Sequence, residues 1–371
     1  MNKKLLIIGG GFAGCAAVHA LRDLPGYEIN LIETSGVLGA GVRTYFKGGH
    51  PYTFGPRHFL TQNELAFVWL NDRVPLRRCA EHEFRTYVET DSAFYTYPIH
   101  INDVDLMPDS QTIKDELSRQ SVGPPPITLE EYWVSSVGST LYEKFVNAYS
   151  RKMWNVKNNN EIDDFGWSPK GVALKQGPRA AWDTAISAYP IARDGYNSFF
   201  DSAAEKLDQL IVGERVVRAD YAEKKVYTDR GTHKYDVLVN TISPDILAEF
   251  RYGELPYMGR DIELLVLPIR MALPENVYFC YYAGKERYTR VTEYKKFYRY
   301  DSEQTLISIE YPSKNGRHYP MPFKLEYQRA DKYFSDMPED VFSIGRAGSY
   351  RYSVDIDDCV LQSIDIFEKL R

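Results

Sequence analysis

The segment KLLIIGGGFAGCAAVHALRDLPGYEINLIE at positions 4–33 constrains the fold more than any other part of the chain. An apolar run at 5–8 predicts a buried parallel strand. It leads into three glycines with the spacing G-x-G-x-x-G: Gly9, Gly11 and Gly14. An Ala-rich helical stretch follows, and then 29–32 predicts a second strand that ends at Glu33. This order predicts a dinucleotide-binding unit of the Rossmann type.

Each glycine of this motif has a physical role. Gly9 allows the tight turn, Gly11 lets the backbone approach a pyrophosphate, and Gly14 lets the helix pack close to the strand. The N-terminus of the helix offers free N–H groups and a positive dipole end to phosphates. Glu33 can accept hydrogen bonds from the ribose hydroxyls of adenosine.

Composition excludes several other classes of function. At 371 residues the chain can form two or three domains. A net charge of -6 argues against a nucleic-acid or membrane-surface binder, because such proteins need a basic surface. The four cysteines lack metal-ligand spacing, so no metal site is expected. No segment reaches the roughly 20 apolar residues that span a bilayer, and a cytoplasmic location is the default expectation.

The rest of the chain alternates between strand-like and helix-like patterns. Residues 84–98 predict two strands around a polar turn, 102–155 predict helices, and 262–312 predict repeated strands that include RYTRVTEYKKFY. Thr61, with Glu64 three residues later, predicts a capping box at the start of a helix.

The dinucleotide-binding unit is predicted to be discontinuous. YDVLVNTISPDILAEF reads as a buried strand that returns to the first sheet, and VFSIGRAGSYRYSVDIDD as a strand and the Gly345–Arg346 loop before a closing helix. The predicted fold is α/β, with a discontinuous Rossmann-like FAD-binding domain, an inserted helical subdomain and a mixed or antiparallel β-sheet subdomain. The predicted boundaries are 1–80, 196–250 and 335–371 for the FAD domain, 101–156 for the helical subdomain, and 81–100, 157–195 and 251–334 for the sheet and substrate subdomain.

Several separated segments resemble the UDP-galactopyranose mutase family. FGPRHFLTQN is similar to its Gly-Pro-His-x-Phe-His-Thr-Asn loop, and LYEKFVNAYSRKMW to its helix ending in Tyr-Thr-x-Lys-Gln-Trp. RYTRVTEYKKF resembles Pro-Tyr-Thr-Arg-x-x-Glu-His-Lys, and SIEYP and HYP resemble its Lys-Glu-Tyr and Tyr-Tyr-Pro strands. GRAGSYRYSVDIDD resembles Gly-Arg-Leu-Ala-Glu-Tyr-Lys-Tyr-Tyr-Asp-Met-Asp. Order and approximate spacing hold over nearly the whole chain.

The resemblance implies an isomerase that converts a nucleotide-activated sugar between pyranose and furanose forms, with no net redox change. Reduced FAD would attack the anomeric carbon through N5 and displace the nucleoside diphosphate, so the cofactor supplies the nucleophile. The family also implies a homodimer and a role in polysaccharide biosynthesis.

The resemblance assigns roles to individual residues. Arg290 would neutralise the diphosphate, Trp154 would wall the sugar pocket, Arg346 would contact the FAD pyrophosphate, and His58 would lie near the isoalloxazine. The full predicted catalytic set is Arg290, Tyr319, Tyr352, Asp355, Trp154, Tyr149 and Lys175. The predicted cofactor set is Gly9, Gly11, Phe12, Ala13, Gly14, Glu33, Gly41, Arg43, His58, Val216, Arg346 and Tyr352.

The departures from the family pattern concern the substrate more than the cofactor. Arg57 stands where the family has the first histidine of its loop, and Leu60 stands for the second. The mobile-loop arginine has no clean counterpart, and Lys175 and Arg179 are the nearest cations. His318 replaces the first Tyr of Tyr-Tyr-Pro. A UDP-, GDP- or dTDP-linked sugar therefore fits equally well.

Two other functions are compatible with a flavin-binding chain of this kind. One is an oxidoreductase of the amine-oxidase type, which shares the discontinuous FAD domain. The other is a catalytically silent homologue that binds flavin or a sugar nucleotide. Arg290 and the phenol-rich C-terminal segment favour a phosphate ligand and so argue against the oxidase.

Overall fold

The computed structural model describes residues 2–119, 123–165 and 173–371. The strands are β1 (Lys3–Ile8), β2 (Tyr27–Glu33), β3 (Tyr45–Lys47), β4 (His50–Tyr52), β5 (Phe59–Thr61), β6 (Leu76–Arg78), β7 (Glu83–Val88), β8 (Ala93–Tyr97), β9 (Ile186–Pro190), β10 (Gln209–Val212), β11 (Val216–Asp220), β12 (Lys225–Thr228), β13 (Thr232–Lys234), β14 (Val237–Asn240), β15 (Tyr257–Leu267), β16 (Val277–Tyr282), β17 (Arg290–Glu293), β18 (Thr305–Ser313), β19 (Tyr319–Pro320) and β20 (Val341–Ser343). The α-helices are α1 (Phe12–Leu21), α2 (Glu64–Asn71), α3 (Ser110–Ser118), α4 (Leu129–Val137), α5 (Ser139–Tyr142), α6 (Ala148–Trp154), α7 (Asn197–Glu205), α8 (Pro244–Leu247), α9 (Lys295–Tyr298), α10 (Lys324–Ser335), α11 (Gly345–Gly348) and α12 (Ile356–Leu370).

A parallel sheet with the strand order β10-β2-β1-β14-β20 forms the dinucleotide-binding part. Its central strand β1 pairs with β2 on one side and with β14 on the other, so the predicted returning strand is confirmed. Residues 5–8 are almost completely buried, because Leu5 and Ile7 pack in a cluster with residues of α1 and α12, and Leu6 and Ile8 pack in a cluster with residues of β11 and β12. The predicted α/β fold class is confirmed, whereas the predicted domain boundaries stay predictions.

A second, seven-stranded sheet carries most of the aromatic strands, in the order β19-β15-β18-β17-β16-β7-β8. Its neighbouring strands are antiparallel except β16 and β7, which are parallel. Within this sheet Arg290 on β17 lies directly opposite Glu310 on β18. The strand predicted over RYTRVTEYKKFY is shorter than expected: β17 ends at Glu293, and residues 295–298 form α9.

Helices form in the part of the chain, 102–155, for which the sequence predicts them. Residues 139–154 form one continuous helical segment in which 143–147 widens into a π-helix between α5 and α6. Such widenings are often found at functional sites. The segment ends at Trp154, after which Asn155 adopts a left-handed conformation.

Lys152 fixes α6 to the loop between β16 and β17. Its ammonium donates hydrogen bonds to four backbone carbonyls, at 2.9 Å from Tyr282, 3.0 Å from Gly284, 2.8 Å from Glu286 and 2.9 Å from Tyr288. Because this loop leads into β17, the contact sets the position of Trp154 relative to Arg290.

Two local predictions were wrong. The helix predicted to begin at Thr61 begins at Glu64, and the side chain of Asn63 caps it by accepting a hydrogen bond from the N–H of Ala66 at 3.2 Å. Thr61 is held in β5 by pairing with β9. The loop predicted at Gly345 is the one-turn helix α11.

Candidate functional site

The glycine turn after β1 has the geometry that a pyrophosphate cradle requires. Gly9 has a φ of +93°, which favours glycine. A Cβ on Gly14 would lie 1.9 Å from the carbonyl oxygen of Gly9, so only glycine allows α1 to pack this closely on the turn. A Cβ on Gly11 would meet nothing closer than the Cβ of Ala40 at 3.8 Å. The first turn of α1 is therefore open to an approaching ligand.

Glu33 is held at the end of β2, where the adenosine ribose is expected. Its two carboxylate oxygens accept hydrogen bonds from the backbone N–H groups of Gly10 and Ser35, both at 2.7 Å. A carboxylate has about four lone-pair sites, so it can still accept from ribose hydroxyls.

The C-terminal Gly-Arg segment meets the same cradle. A Cβ on Gly345 would lie 2.6 Å from the Cβ of Ala13, at the start of α1. Arg346 donates through Nε to the carbonyl of Val354 at 2.9 Å and through Nη2 to Asp355 at 2.7 Å. The open first turn of α1, Glu33 and this arginine together fit a dinucleotide such as FAD.

The remaining predicted cofactor residues differ in their burial and in their partners. Phe12 is buried and stacks on Phe199, with ring centroids 5.0 Å apart. Arg43 pairs with Asp201 at 2.9 Å. Val216 is buried at the start of β11, in an apolar cluster that includes residues of β1. A Cβ on Gly41 would lie 3.6 Å from Nη2 of Arg57, which connects this loop to the next part of the site.

A cavity of about 1540 Å³, including its open mouth, extends between the second sheet and the helical subdomain. Eight of the predicted site residues line it: His58, Tyr149, Trp154, Arg290, Tyr319, Arg346, Tyr352 and Asp355. These eight residues come from segments that are far apart in the sequence, and the fold brings their side chains to one cavity.

Arg290 is held rigidly at the cavity wall by Glu310. The guanidinium donates from Nε to Oε1 at 2.8 Å and from Nη2 to Oε2 at 2.7 Å, which is the bidentate geometry of a strong pair. The Glu310 side chain is 1% exposed, so this ion pair is withdrawn from solvent. Burial would lower the pKa of Arg290, but the Glu310 carboxylate raises it well above its ordinary value, so the cation is permanent.

Aromatic rings also line the cavity. Trp154 meets Tyr352 edge to face with centroids 5.0 Å apart, and Tyr319 lies 5.7 Å from Tyr352. Burial raises the pKa of the Tyr149 phenol well above its ordinary value, so Tyr149 stays a neutral hydrogen-bond donor. For Tyr319, burial alone would raise the pKa, but nearby arginines, first of them Arg57, lower it below its ordinary value.

Lys175 lies away from the cavity lining. Its ammonium is buried, donates to the carbonyl of Ala180 and pairs with Asp183 at 3.1 Å. Arg179 is likewise tied to Asp103 at 2.6 Å. With these partners, neither cation is placed to act as a substitute for the mobile-loop arginine, and the structure does not support Lys175 as a catalytic residue.

Three further charged residues line the cavity: Arg57, which the sequence indicates only as a departure from the family pattern, and Arg260 and Glu310, which no motif singles out. Glu310 lies in the SIEYP segment. If this segment had been predicted to pair with the strand of Arg290, Glu310 could have been predicted as the partner of that arginine. No sequence pattern indicated Arg260. It precedes the apolar run from which the strand was predicted to begin at 262, whereas β15 begins at Tyr257.

No group of three or more His, Cys, Asp or Glu side chains in residues 2–119, 123–165 and 173–371 could hold a metal ion. In the same ranges, no helix combines the length and apolarity needed to cross a membrane.

Comparison with known proteins gives consistent matches. The family model for UDP-galactopyranose mutase matches residues 144–352, and a model for an NAD(P)-binding Rossmann-like domain matches 7–72. The probable UDP-galactopyranose mutase of Klebsiella pneumoniae is 22% identical, over 98% of this chain and 93% of its own length. The dTDP-fucopyranose mutase of Escherichia coli is 23% identical, over 98% of this chain and 97% of its own.

Solved structures agree on the fold. A crystal structure of reduced UDP-galactopyranose mutase matches with a TM-score of 0.83 at 16% identity, over 99% of this chain and 95% of the other. Putrescine oxidase bound to putrescine matches with a TM-score of 0.63 at 12% identity, over 100% of this chain and 99% of the other. The family model spans more than half of the chain and includes Tyr149, Trp154, Arg290, Tyr319 and Tyr352. The chain belongs to the UDP-galactopyranose mutase family.

Proposed function

We propose that this chain is a flavin-dependent isomerase that interconverts the pyranose and furanose forms of a nucleotide-activated sugar. The observation that carries the proposal is the cavity. A buried arginine held by Glu310 lies there with the Trp154 and Tyr352 rings, and Arg346 connects the cavity to the α1 cradle. A dinucleotide in the cradle would thus have its reactive end beside a site built for a phosphate ligand.

Reduced FAD supplies a nucleophile for the anomeric carbon of the sugar. The residues of the chain hold the other groups of the reaction. A guanidinium has five N–H donors, and Glu310 takes one on Nε and one on Nη2 of Arg290. The remaining donors have no hydrogen-bond acceptor among the described residues and can bind the diphosphate, on which negative charge develops as the sugar is displaced.

The phenols have a different role from the arginines. Because burial keeps Tyr149 protonated, it can donate a hydrogen bond to a phosphate or a sugar oxygen but cannot act as a base. Tyr319 is the phenol whose pKa lies below its ordinary value, since nearby guanidinium charges outweigh its burial. Trp154 and Tyr352 exclude water from the sugar side of the cavity.

The substrate class is a nucleoside diphosphate sugar. The two curated relatives are named for UDP-galactopyranose and dTDP-fucopyranose, at nearly equal identity. We therefore expect a UDP- or dTDP-linked hexose, with the GDP-linked sugars as the third group to test.

The test is an anaerobic turnover assay. Dithionite-reduced, FAD-loaded protein is incubated with UDP-, dTDP- and GDP-linked hexopyranoses, and products are separated by chromatography. We expect a furanose product from at least one sugar, and cyanoborohydride should trap a sugar covalently on the flavin. The oxidised protein is the matched control and should give no product.

Two results would contradict the proposal. Flavin bleaching by an amine, followed by reoxidation with oxygen and no furanose, would identify an oxidase of the amine-oxidase type. Tight binding of a sugar nucleotide without turnover by the reduced protein would identify a catalytically silent homologue. The homodimer, the cytoplasmic location and the role in polysaccharide biosynthesis stay predictions, and light scattering after gel filtration tests the first.

A further inference from the structure

The charged groups on the cavity wall do not balance. Among residues 2–119, 123–165 and 173–371, four arginines and two carboxylates line the cavity, which leaves an excess of two positive charges on these side chains. Arg290 is matched by Glu310 and Arg346 by Asp355, at 2.7 Å in each case. Each of these cations is therefore already neutralised by the protein.

Arg260 and Arg57 carry the excess. Arg260 donates to the carbonyl of Gly259 at 2.9 Å and contacts the sulfur of Met153 at 2.6 Å, so its partners are uncharged. Arg57 forms no ion pair with any residue in the described ranges, and its Nε is buried with no hydrogen-bond acceptor there. A buried donor without an acceptor is costly, and a ligand that supplies the acceptor removes that cost.

Both unmatched cations act on the same two residues. The guanidinium of Arg260 lies 4.9 Å from the ring centroid of Tyr319, and its backbone N–H donates to Nδ1 of His318 at 3.0 Å. Burial lowers the pKa of His318, and the charges of Arg57 and Arg260 lower it further. His318 is therefore neutral near pH 7 and leaves the local charge positive.

We propose that Arg57 is a binding residue for the diphosphate of the substrate, and that it acts there together with Arg260. An excess of two positive charges in a partly buried cavity is complementary to a nucleoside diphosphate. A planar guanidinium with free N–H donors can contact two phosphate oxygens at once. The inference rests on the proposed nucleotide-sugar substrate.

The departures from the family pattern fit this assignment. Arg57 stands where the family has a histidine, in a chain whose mobile-loop arginine has no clean counterpart. Among the described residues that follow the Trp154 helix, Lys175 and Arg179 are each paired with a carboxylate. Arg57 is therefore a cavity cation that no carboxylate of the described residues matches.

The pyrophosphate of FAD is a second source of the same chemistry. A Cβ on Gly41 would be only 3.6 Å from Nη2 of Arg57, so the guanidinium is also close to the glycine-rich cofactor loop. The experiment must therefore report on the nucleotide and on FAD separately.

The test compares Arg57→Ala, Arg57→Gln and Arg57→Lys with the unmodified FAD-loaded, reduced protein. Calorimetric titration with UDP and dTDP gives the dissociation constants, titration with uridine and thymidine gives those of the nucleosides alone, and flavin absorbance gives the FAD content. Arg230→Ala, at an exposed turn, is the matched control. We expect Arg57→Ala and Arg57→Gln to weaken UDP or dTDP binding roughly 10- to 100-fold. Arg57→Lys should lose less, and nucleoside binding and FAD content should not change.

Two outcomes would overturn the inference. The first is an unchanged affinity for UDP and dTDP in folded Arg57→Gln. The second is loss of FAD combined with normal nucleotide affinity after FAD is restored, which would assign Arg57 to the cofactor. A protein that binds nucleotides through Arg57 but forms no furanose would contradict the mutase function alone, so the two failures are distinguishable.

Discussion

The cradle around α1 and the cavity beside β17 bind their ligands by different means. The cradle is built mainly from one stretch of chain, residues 3–33, which the Gly345 segment joins, and it acts through backbone N–H groups and the absence of side chains at Gly11 and Gly14. The cavity uses residues from Pro56 to Ile356 and acts through side-chain charges and rings. For the cradle, the spacing of residues along the sequence is sufficient to predict the site. For the cavity, the role of each side chain depends on the partner that it contacts in the folded protein.

The largest effect is expected in the cradle, from Gly14→Ala. The added Cβ would lie 1.9 Å from the carbonyl oxygen of Gly9, and that oxygen belongs to backbone which cannot rotate away. We expect loss of bound FAD and a fall in the free energy of unfolding of about 4 kcal/mol or more. Flavin absorbance per chain and a urea unfolding curve measure the two effects.

Gly36→Ala is the matched control for this substitution. It lies in the loop after β2, and a Cβ there would meet nothing within 4 Å. The control should retain FAD and nearly normal stability. Normal FAD content in Gly14→Ala would show that spacing alone does not define the cradle.

The next effect is expected in the cavity, from Arg290→Met. The substitution keeps most of the side-chain volume but leaves the Glu310 carboxylate buried without its cation. Breaking a buried pair in this way costs about 3 kcal/mol of stability. We also expect kcat/KM to fall at least about 100-fold, because the charge that faces the leaving diphosphate is lost.

A double substitution separates the two effects. In Arg290→Met with Glu310→Gln no unpaired charge remains, so urea unfolding should show most of the stability restored. Activity should stay low, since the cation is still absent. Recovery of kcat/KM in the double variant would mean that Arg290 acts only through the stability of the sheet.

The same contrast explains how much could be predicted from sequence. The β1–α1–β2 unit, the returning strand β14, the family and FAD were predictable, because they depend on local spacing and on motifs in a fixed order. Arg290 was named from its motif, but the partner that holds it was not. Arg57 was noticed only as a departure, since its missing partner is a property of the folded cavity and not of its neighbours in sequence.

The smallest effect is expected where the two regions meet, at Asp357 in the first turn of α12. This helix packs against α1, and its neighbours Asp355 and Ile356 line the cavity. Burial, together with the charge of Asp358, raises the pKa of Asp357 from 3.8 to about 6. The folded protein therefore holds the proton more tightly than the unfolded chain, and the stabilisation from Asp357 is present below about pH 4 and lost as the pH rises through 6.

Asp357→Asn removes this dependence while keeping a polar side chain of the same shape. We expect the variant to be more stable than the unmodified protein by about 1 kcal/mol at pH 7.5, after allowance for solvent screening, and equally stable near pH 4. Urea unfolding midpoints of the FAD-loaded proteins at the two pH values measure the difference. Asp365→Asn, on the exposed part of the same helix, controls for the loss of a carboxylate. A gain that does not depend on pH would show that Asp357 ionises normally, and that the junction of cradle and cavity is more open to water than its packing indicates.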